Sequence, residues 1–354
     1  MPPASTPTRT CVLYLHGLND YDRDRNLEQL SEGFRHYVST HNLGFVAQSS
    51  ALENGELCTR FRARDGSREI DLQLVYIGDL RRSFATLSVL AKLKQGGAML
   101  IYWLASPLWG QLLRTQQSRL LAGVVGTLTI FGLWYAATLI TIASAPNDLP
   151  DAIQGPLRQF AETVKSVWIW VVLLALLQAL PVNLMMDVVR TATSYLDDPD
   201  LAQRMRMRLS GPLSRADRNG SYDEIVLVAH SFGGVIAVDV LDSFRFTAPA
   251  RVLTLGSPVE LIAVHRRPFR EALDRALTNP TINRWDDVDA SGDWLCTPIP
   301  APEDRTRFHS HRLRPAASLR DRLNGNAHEV YFYEDAVYQL LLDPGAPTGA
   351  TSVP

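Results

Sequence analysis

The stretch Ile225-Val226-Leu227-Val228-Ala229-His230-Ser231-Phe232-Gly233-Gly234 constrains the fold more than any other part of the chain. Four consecutive apolar residues specify a strand buried on both faces, and such strands belong to parallel sheets covered by helices. The chain then turns through a serine set among small residues and opens an apolar helix at VIAVDVLDSF. A serine on so sharp a strand-to-helix turn exposes its hydroxyl and crowds the positions two before and two after it. Ala229 and Gly233 supply the small side chains required there, and Gly234 extends the small-residue turn. The N–H groups at the start of the helix face whatever negative charge develops at the hydroxyl.

Further strands and helices alternate around this elbow. Residues 10–16, TCVLYLH, form an apolar strand that runs into the turn His16-Gly17. Leu27, Leu30, Phe34 and Val38 recur at helical spacing and predict an amphipathic helix over 26–40. Between 44 and 79 the pattern favours strands: GFVAQSSAL, then ELCTRFRA and EIDLQLVYI on either side of the turn Arg64-Asp65-Gly66-Ser67. After the elbow come the strand RVLTLGSP, the strand TINRWDDVDA with its acidic end, and AHEVYFYEDAVYQLLL, a loop leading into a C-terminal helix. This alternation predicts an α/β fold with a mostly parallel sheet flanked by helices.

The middle of the chain is written for a different solvent. No charged side chain occurs between Arg119 and Asp148. Those roughly 28 residues would make a helix of about 42 Å, against about 30 Å of bilayer hydrocarbon. A second uncharged run separates Lys165 from Asp187. Together they predict a two-helix transmembrane hairpin over 114–190, inserted into the catalytic domain. The third uncharged run, 95–113, contains Gly96-Gly97, Pro107, Tyr102, Trp103 and Trp109. If one active site is built from both sides of the insertion, the number of spans must be even. Segment 95–113 is therefore assigned to the membrane interface, broken at its glycines and proline, where aromatic rings sit well.

Lys92, Lys94, Arg114 and Arg119 precede the first span, and Arg190, Arg204, Arg206 and Arg208 follow the second. That asymmetry places both ends in the cytoplasm and the short loop outside. The arginine run 204–208 suits either anionic lipid head groups or a solvated helix face. A formal net charge of −2 gives no reason to expect a nucleic-acid partner. Cys11, Cys58 and Cys296 are three widely spaced cysteines, which fits a reducing compartment better than a disulfide framework.

The elbow resembles the G-x-S-x-G nucleophile motif of the α/β-hydrolase superfamily, with Ala229 at the first small position. The resemblance covers residues 10–20 and 222–340 and implies a lipase- or esterase-like serine hydrolase with Ser231 as nucleophile. In that family an acid and then a histidine follow the nucleophile along the chain, which leaves His309, His311 and His328 as bases. His328-Glu329-Val330-Tyr331-Phe332 is similar to the H-x-x-Y-W segment of bacterial lipase-like hydrolases, and this selects His328. Asp286, Asp287, Asp289 and Asp293 follow Trp285 closely enough to be the acid. The family's spacing from a W-x-N segment selects Asp293, followed by Trp294-Leu295, with Asp289 as the alternative. Asp286 and Asp287 are assigned to a solvated loop. Leu15-His16-Gly17-Leu18 resembles the family's oxyanion strand. By that likeness the backbone N–H groups of Leu18 and Phe232 would receive the oxyanion, while His16 supports the loop. The family's first two strands are missing before Thr10, so the sheet is expected to be reduced or rearranged.

The expected organisation is a disordered 1–9, hydrolase segments 10–94 and 221–343, the interfacial segment 95–113, the hairpin 114–190, a basic linker 191–220 and a disordered tail 344–354. The start of the chain lacks the apolar core of a secretory signal. The expected protein sits in a bacterial inner membrane, faces the cytoplasm and cleaves a lipid or acyl ester without a cofactor or a metal. Asp20, Asp22 and Asp24 alternate as in a calcium loop, but Arg25 and Ser31 stand where that loop needs Gly and Glu. His309-Ser310-His311 lacks a third metal ligand. Two other functions share these residues: an acyltransferase using the same triad, and an inactive hydrolase fold serving as a membrane scaffold.

Overall fold

The computed structural model describes residues 7–19, 21–48, 51–53, 56–82, 88–105, 182–218, 220–293, 296–302, 306–315, 326–343 and 351–352, with scattered positions between 109 and 162. The chain forms two compact units, one of residues 1–80 and 198–354 and one of residues 81–197.

The first unit opens with β1 (Thr8–Leu15), whose apolar residues from Cys11 onward are fully buried. Helix α1 (Arg23–Thr40) starts at Asp22, whose side chain accepts the Arg25 N–H as an N-cap. Its Leu27, Leu30, Phe34 and Val38 enter the core as their spacing predicts. Strands β2 (Phe45–Ala47), β3 (Ala51–Glu53), β4 (Glu56–Ala63) and β5 (Arg68–Val75) follow, with β4 and β5 joined by the turn at Gly66.

The second unit contains α2 (Val89–Leu104) and α3 (Val182–Asp197). Gly96 and Gly97 do not interrupt α2, contrary to the break expected at that point. An Ala-Gly difference of about 1 kcal/mol per residue is small beside the propensity of the surrounding Leu, Lys, Met and Ala. Within this unit the Arg82 N–H donates to Thr191 Oγ1 at 3.0 Å, and Arg81 lies 4.0 Å from Asp187. Most of the expected hairpin over 114–190 and part of segment 95–113 lie outside the described residues. Among the described residues no helix is long and apolar enough to cross a membrane.

The first unit resumes with α4 (Pro199–Arg218). Its Leu201, Met205, Leu209 and Leu213 recur every four residues and are buried, and the helix packs against β1, β5 and α5 (Phe232–Leu241). Residues 191–220 are therefore not a basic linker but the end of α3 and a structural helix. The arginine run keeps its apolar neighbour Met205 in the core, while Arg208 pairs with Asp79 and Arg215 with Glu56. The remaining elements are β6 (Glu224–His230) before α5, β7 (Ala250–Leu255), α6 (Val259–His265), α7 (Arg267–Leu277), β8 (Ile282–Ala290), β9 (Phe308–Leu313), α8 (Asp335–Leu342) and β10 (Thr351–Ser352).

The strands form one sheet in the order β10-β9-β8-β7-β6-β1-β5-β4-β2, with β3 beside β4. The pairings from β5 through β1, β6, β7 and β8 to β9 are all parallel, and those at the two margins are antiparallel. The protein is thus α/β with a mostly parallel sheet flanked by helices. The places beyond β1 are taken by strands that follow it in the chain. Strand β1 starts at Thr8, and Thr351–Ser352 pairs with β9; the rest of the expected disordered segments 1–9 and 344–354, apart from Pro7, lies outside the described residues.

Strand β8 corrects a further expectation. Asp286 and Asp287 are not in a solvated loop; they lie within the strand and are 2% and 3% exposed. Their hydrogen-bonding capacity is met by groups packed around them. Asp286 accepts from Arg284 Nε at 2.8 Å and bonds His311 Nε2 of β9 at 2.7 Å. Asp287 accepts from the Thr254 hydroxyl of β7 at 2.6 Å and from the Ile299 N–H at 2.8 Å.

Candidate active site

Parallel pairing brings the carboxyl ends of four strands to one edge. Leu15 of β1 lies beside Ala229 of β6, His230 beside Leu255 of β7, and Leu255 beside Val288 of β8. In open parallel sheets this edge is where the loops that carry chemistry gather. Each site residue named from the sequence, apart from the support residues in the strands themselves, lies just beyond one of these ends or on the segment before α8.

Ser231 occupies the turn between β6 and α5 with φ 56° and ψ −129°, a conformation that a residue with a Cβ rarely adopts. Three hydrogen bonds hold it there. Its N–H donates to the Leu255 carbonyl at 2.9 Å, and its carbonyl accepts the Gly234 N–H at 3.0 Å. The Ser257 hydroxyl donates to the same carbonyl at 3.0 Å. Such a backbone state costs about 1–3 kcal/mol and persists only where the surroundings over-determine it.

Small residues are required on both sides of the turn. A Cβ on Gly233 would stand 2.5 Å from the Leu15 carbonyl oxygen, and one on Gly17 would stand 2.5 Å from Ser231 Cβ and 2.9 Å from Ser231 Oγ. Ala229 is fully buried in β6. The contact at Gly17 places the Gly17-Leu18 backbone directly beside the Ser231 hydroxyl. Leu18 is buried on that turn, and Phe232 is the first residue of α5. His16 fixes the turn from behind. Its Nε2 accepts the Ile77 N–H at 3.0 Å, and its Nδ1–H donates to the Gly17 carbonyl at 2.6 Å. Burial, against a smaller opposing effect of the Gly17 bond, pulls the ring's pKa down to about 4, so it stays neutral.

His328 and Asp293 meet beside this turn. His328 Nδ1 lies 2.8 Å from Asp293 Oδ2, and the Tyr331 hydroxyl donates to the same oxygen at 2.8 Å. The Tyr331 oxygen itself accepts the Ala290 N–H at 3.1 Å. Asp293 reaches its position by a tight turn off β8, its N–H donating to the Ala290 carbonyl at 3.2 Å. The Asp293 side chain is only 1% exposed. Burial pulls His328 down, but the charge and hydrogen bond of Asp293, with help from Glu329, outweigh it and leave the ring above its ordinary value. The other ring nitrogen, Nε2, is buried with no hydrogen-bond partner among the described residues. His230, the residue before Ser231, donates through Nε2 to the His328 carbonyl at 2.9 Å.

The competing candidates are committed elsewhere. Asp289 pairs with Arg312 of β9, and His311 pairs with Asp286. His309 lies in β9 opposite Asp286. Trp294 and Leu295, which follow Asp293, lie outside the described residues. Among the described residues no group of three or more His, Cys, Asp or Glu side chains is placed to hold a metal ion.

Tyr331 and Ser257 were not identified from the sequence. Tyr331 stands three residues after His328, one turn of a 3-10 helix, so the H-x-x-Y spacing carries the signal for a second ligand of the acid. Ser257 carries none, because it acts from a different strand end. No family model, curated protein or solved structure matches the chain, and the site stands on its own geometry.

Proposed function

We propose that this protein is a serine hydrolase of the α/β-hydrolase type that cleaves carboxylic esters, with a lipid or acyl ester as the favoured substrate. The observation that carries the reading is the convergence on one sheet edge of a serine held at φ 56° and a buried Asp293–His328 pair. A buried imidazole–carboxylate pair alone can be structural, as His311–Asp286 is; beside a strained serine turn it supplies the base and the acid that a serine nucleophile needs.

In this mechanism Ser231 Oγ attacks the ester carbonyl carbon while its proton passes to His328 Nε2. Asp293 stabilises the imidazolium at Nδ1. The N–H groups of Leu18 and Phe232 receive the oxyanion. Collapse expels the alcohol, which takes the proton from Nε2, and leaves Ser231 acylated. Water, deprotonated by His328, then attacks the acyl-enzyme, releases the carboxylic acid and restores the hydroxyl. An alcohol or thiol in place of that water would give the acyltransferase outcome.

The uncharged stretches at 120–147 and 166–186 support membrane anchorage by a two-helix hairpin, with the catalytic unit on the cytoplasmic side. The reading is tested by turnover of p-nitrophenyl esters of increasing chain length by detergent-solubilised protein. Ser231→Ala is expected to reduce kcat by at least about 1,000-fold with the fold intact. Equal turnover by wild type and Ser231→Ala would reject it.

A further inference from the structure

His230 is spent on the base segment rather than on the strand that carries it. Its ring centroid lies 4.8 Å from that of His328, 4.9 Å from Phe332 and 5.9 Å from Tyr331. Its Nε2 is 2.9 Å from the His328 carbonyl oxygen. A carbonyl only accepts, so Nε2 carries the hydrogen and Nδ1 is bare; Nδ1 is buried with no hydrogen-bond partner among the described residues. Burial, reinforced by the nearby His328, holds the ring neutral and so keeps that tautomer through the catalytic cycle.

We propose that His230 is a positioning residue: through the His328 carbonyl it sets the distance between the base and the serine next to it in the chain. The proposal rests on the serine-hydrolase reading only in taking His328 as the base. The geometric argument concerns degrees of freedom. Asp293 holds the imidazole at Nδ1 and the 3-10 turns around His328 fix its local backbone, but these leave the segment able to shift as a body relative to Ser231. A second anchor on the carbonyl of the same residue removes that shift. Because the anchor belongs to the residue adjacent to Ser231, the tie from nucleophile to base runs through one peptide bond and one hydrogen bond. Proton transfer from Oγ to Nε2 depends steeply on that separation, so a loose anchor costs rate and leaves ester binding unchanged.

The test compares His230→Phe, which keeps a ring and loses the donor, with His230→Gln, which keeps an N–H at similar reach. The readouts are kcat and KM on a p-nitrophenyl ester and amide hydrogen exchange of residues 326–333. His230→Phe is expected to lower kcat about tenfold, as loss of one neutral hydrogen bond predicts, with KM unchanged. It should also speed exchange of 326–333 alone. His230→Gln should restore both to within about threefold of wild type. Wild-type kcat and exchange in His230→Phe would overturn the proposal, as would equal impairment of the Phe and Gln variants. If the wild type turned over no ester, the hydrolase reading would fall, and the exchange comparison would still decide whether His230 anchors the segment.

Discussion

Ser231, Asp293 and His328 come from three separate stretches of chain, and each is held by neighbours that serve little else. Ser231 has the Leu255 carbonyl, the Gly234 N–H and the Ser257 hydroxyl on its backbone. Asp293 has the Tyr331 hydroxyl on the oxygen that also faces His328. A base must be neutral to accept a proton, and the His328 pKa lies above the ordinary imidazole value of 6.5. Activity should therefore fall as the pH drops through an apparent pKa above 6.5. Asp293→Asn removes the carboxylate that raises His328, so the acidic limb of kcat/KM should move to lower pH. The maximum rate should fall by roughly three to four orders of magnitude. A pH–rate profile of wild type and variant checks both, and an unmoved limb would detach Asp293 from the base. That Asp293 and His328 meet, and that Ser231 sits on a tight strand-to-helix turn, was legible in the sequence because each sits in a local pattern with a steric or spacing rule. The bond from Tyr331 to Asp293 was signalled only by the H-x-x-Y spacing, and that of Ser257 to the Ser231 carbonyl not at all, because it depends on which strand ends become neighbours.

Strand β8 presents the harder problem of reading an element. Its sequence, INRWDDVDA, looks like a short strand running into a solvated acidic loop, yet all of it through Ala290 pairs with β7 and β9. The acids are buried because β9 supplies His311 to Asp286 and Arg312 to Asp289. That same pairing explains why FHSHRL, polar and easily passed over, is a strand. Neither segment reveals itself alone; each satisfies the other's polar groups. Asp287 is the exception in charge. Burial, despite the Thr254 and Ile299 hydrogen bonds, raises its pKa from 3.8 to about 7. The folded state then holds this proton more tightly than the unfolded chain. Its contribution to stability is present below 3.8 and is lost as the pH rises to about 7. Asp287→Asn, which keeps the shape without the charge, should gain on wild type in Tm by about 3 °C or more at about pH 8.5 relative to about pH 5. Thermal unfolding at the two pH values decides it; a gain independent of pH would show that Asp287 carries no such penalty.

At the scale of the whole molecule, the sheet and its site are assembled from residues 1–80 and 198–354, while residues 81–197 interrupt them as a unit of their own. An insertion of that size leaves the parallel strands free to pair as if it were absent, because β5 and β6 both flank β1. The insertion's apolar character is plain from the absence of charge over 120–147 and 166–186. Two spans predict that the protein stays with membranes through an alkaline carbonate wash, and its release into the supernatant would rule the hairpin out. The central claim is that Ser231 is an activated nucleophile served by His328 and Asp293. Labelling with a fluorophosphonate, followed by mass-spectrometric mapping of the modified peptide, tests it most directly. Phosphonylation is expected at Ser231 in wild type and at no other residue in Ser231→Ala, with labelling slowed by about 100-fold or more in His328→Ala. Folded wild type that fails to react, or a His328→Ala variant that reacts as fast as wild type, would show that Ser231 is not a nucleophile activated by His328.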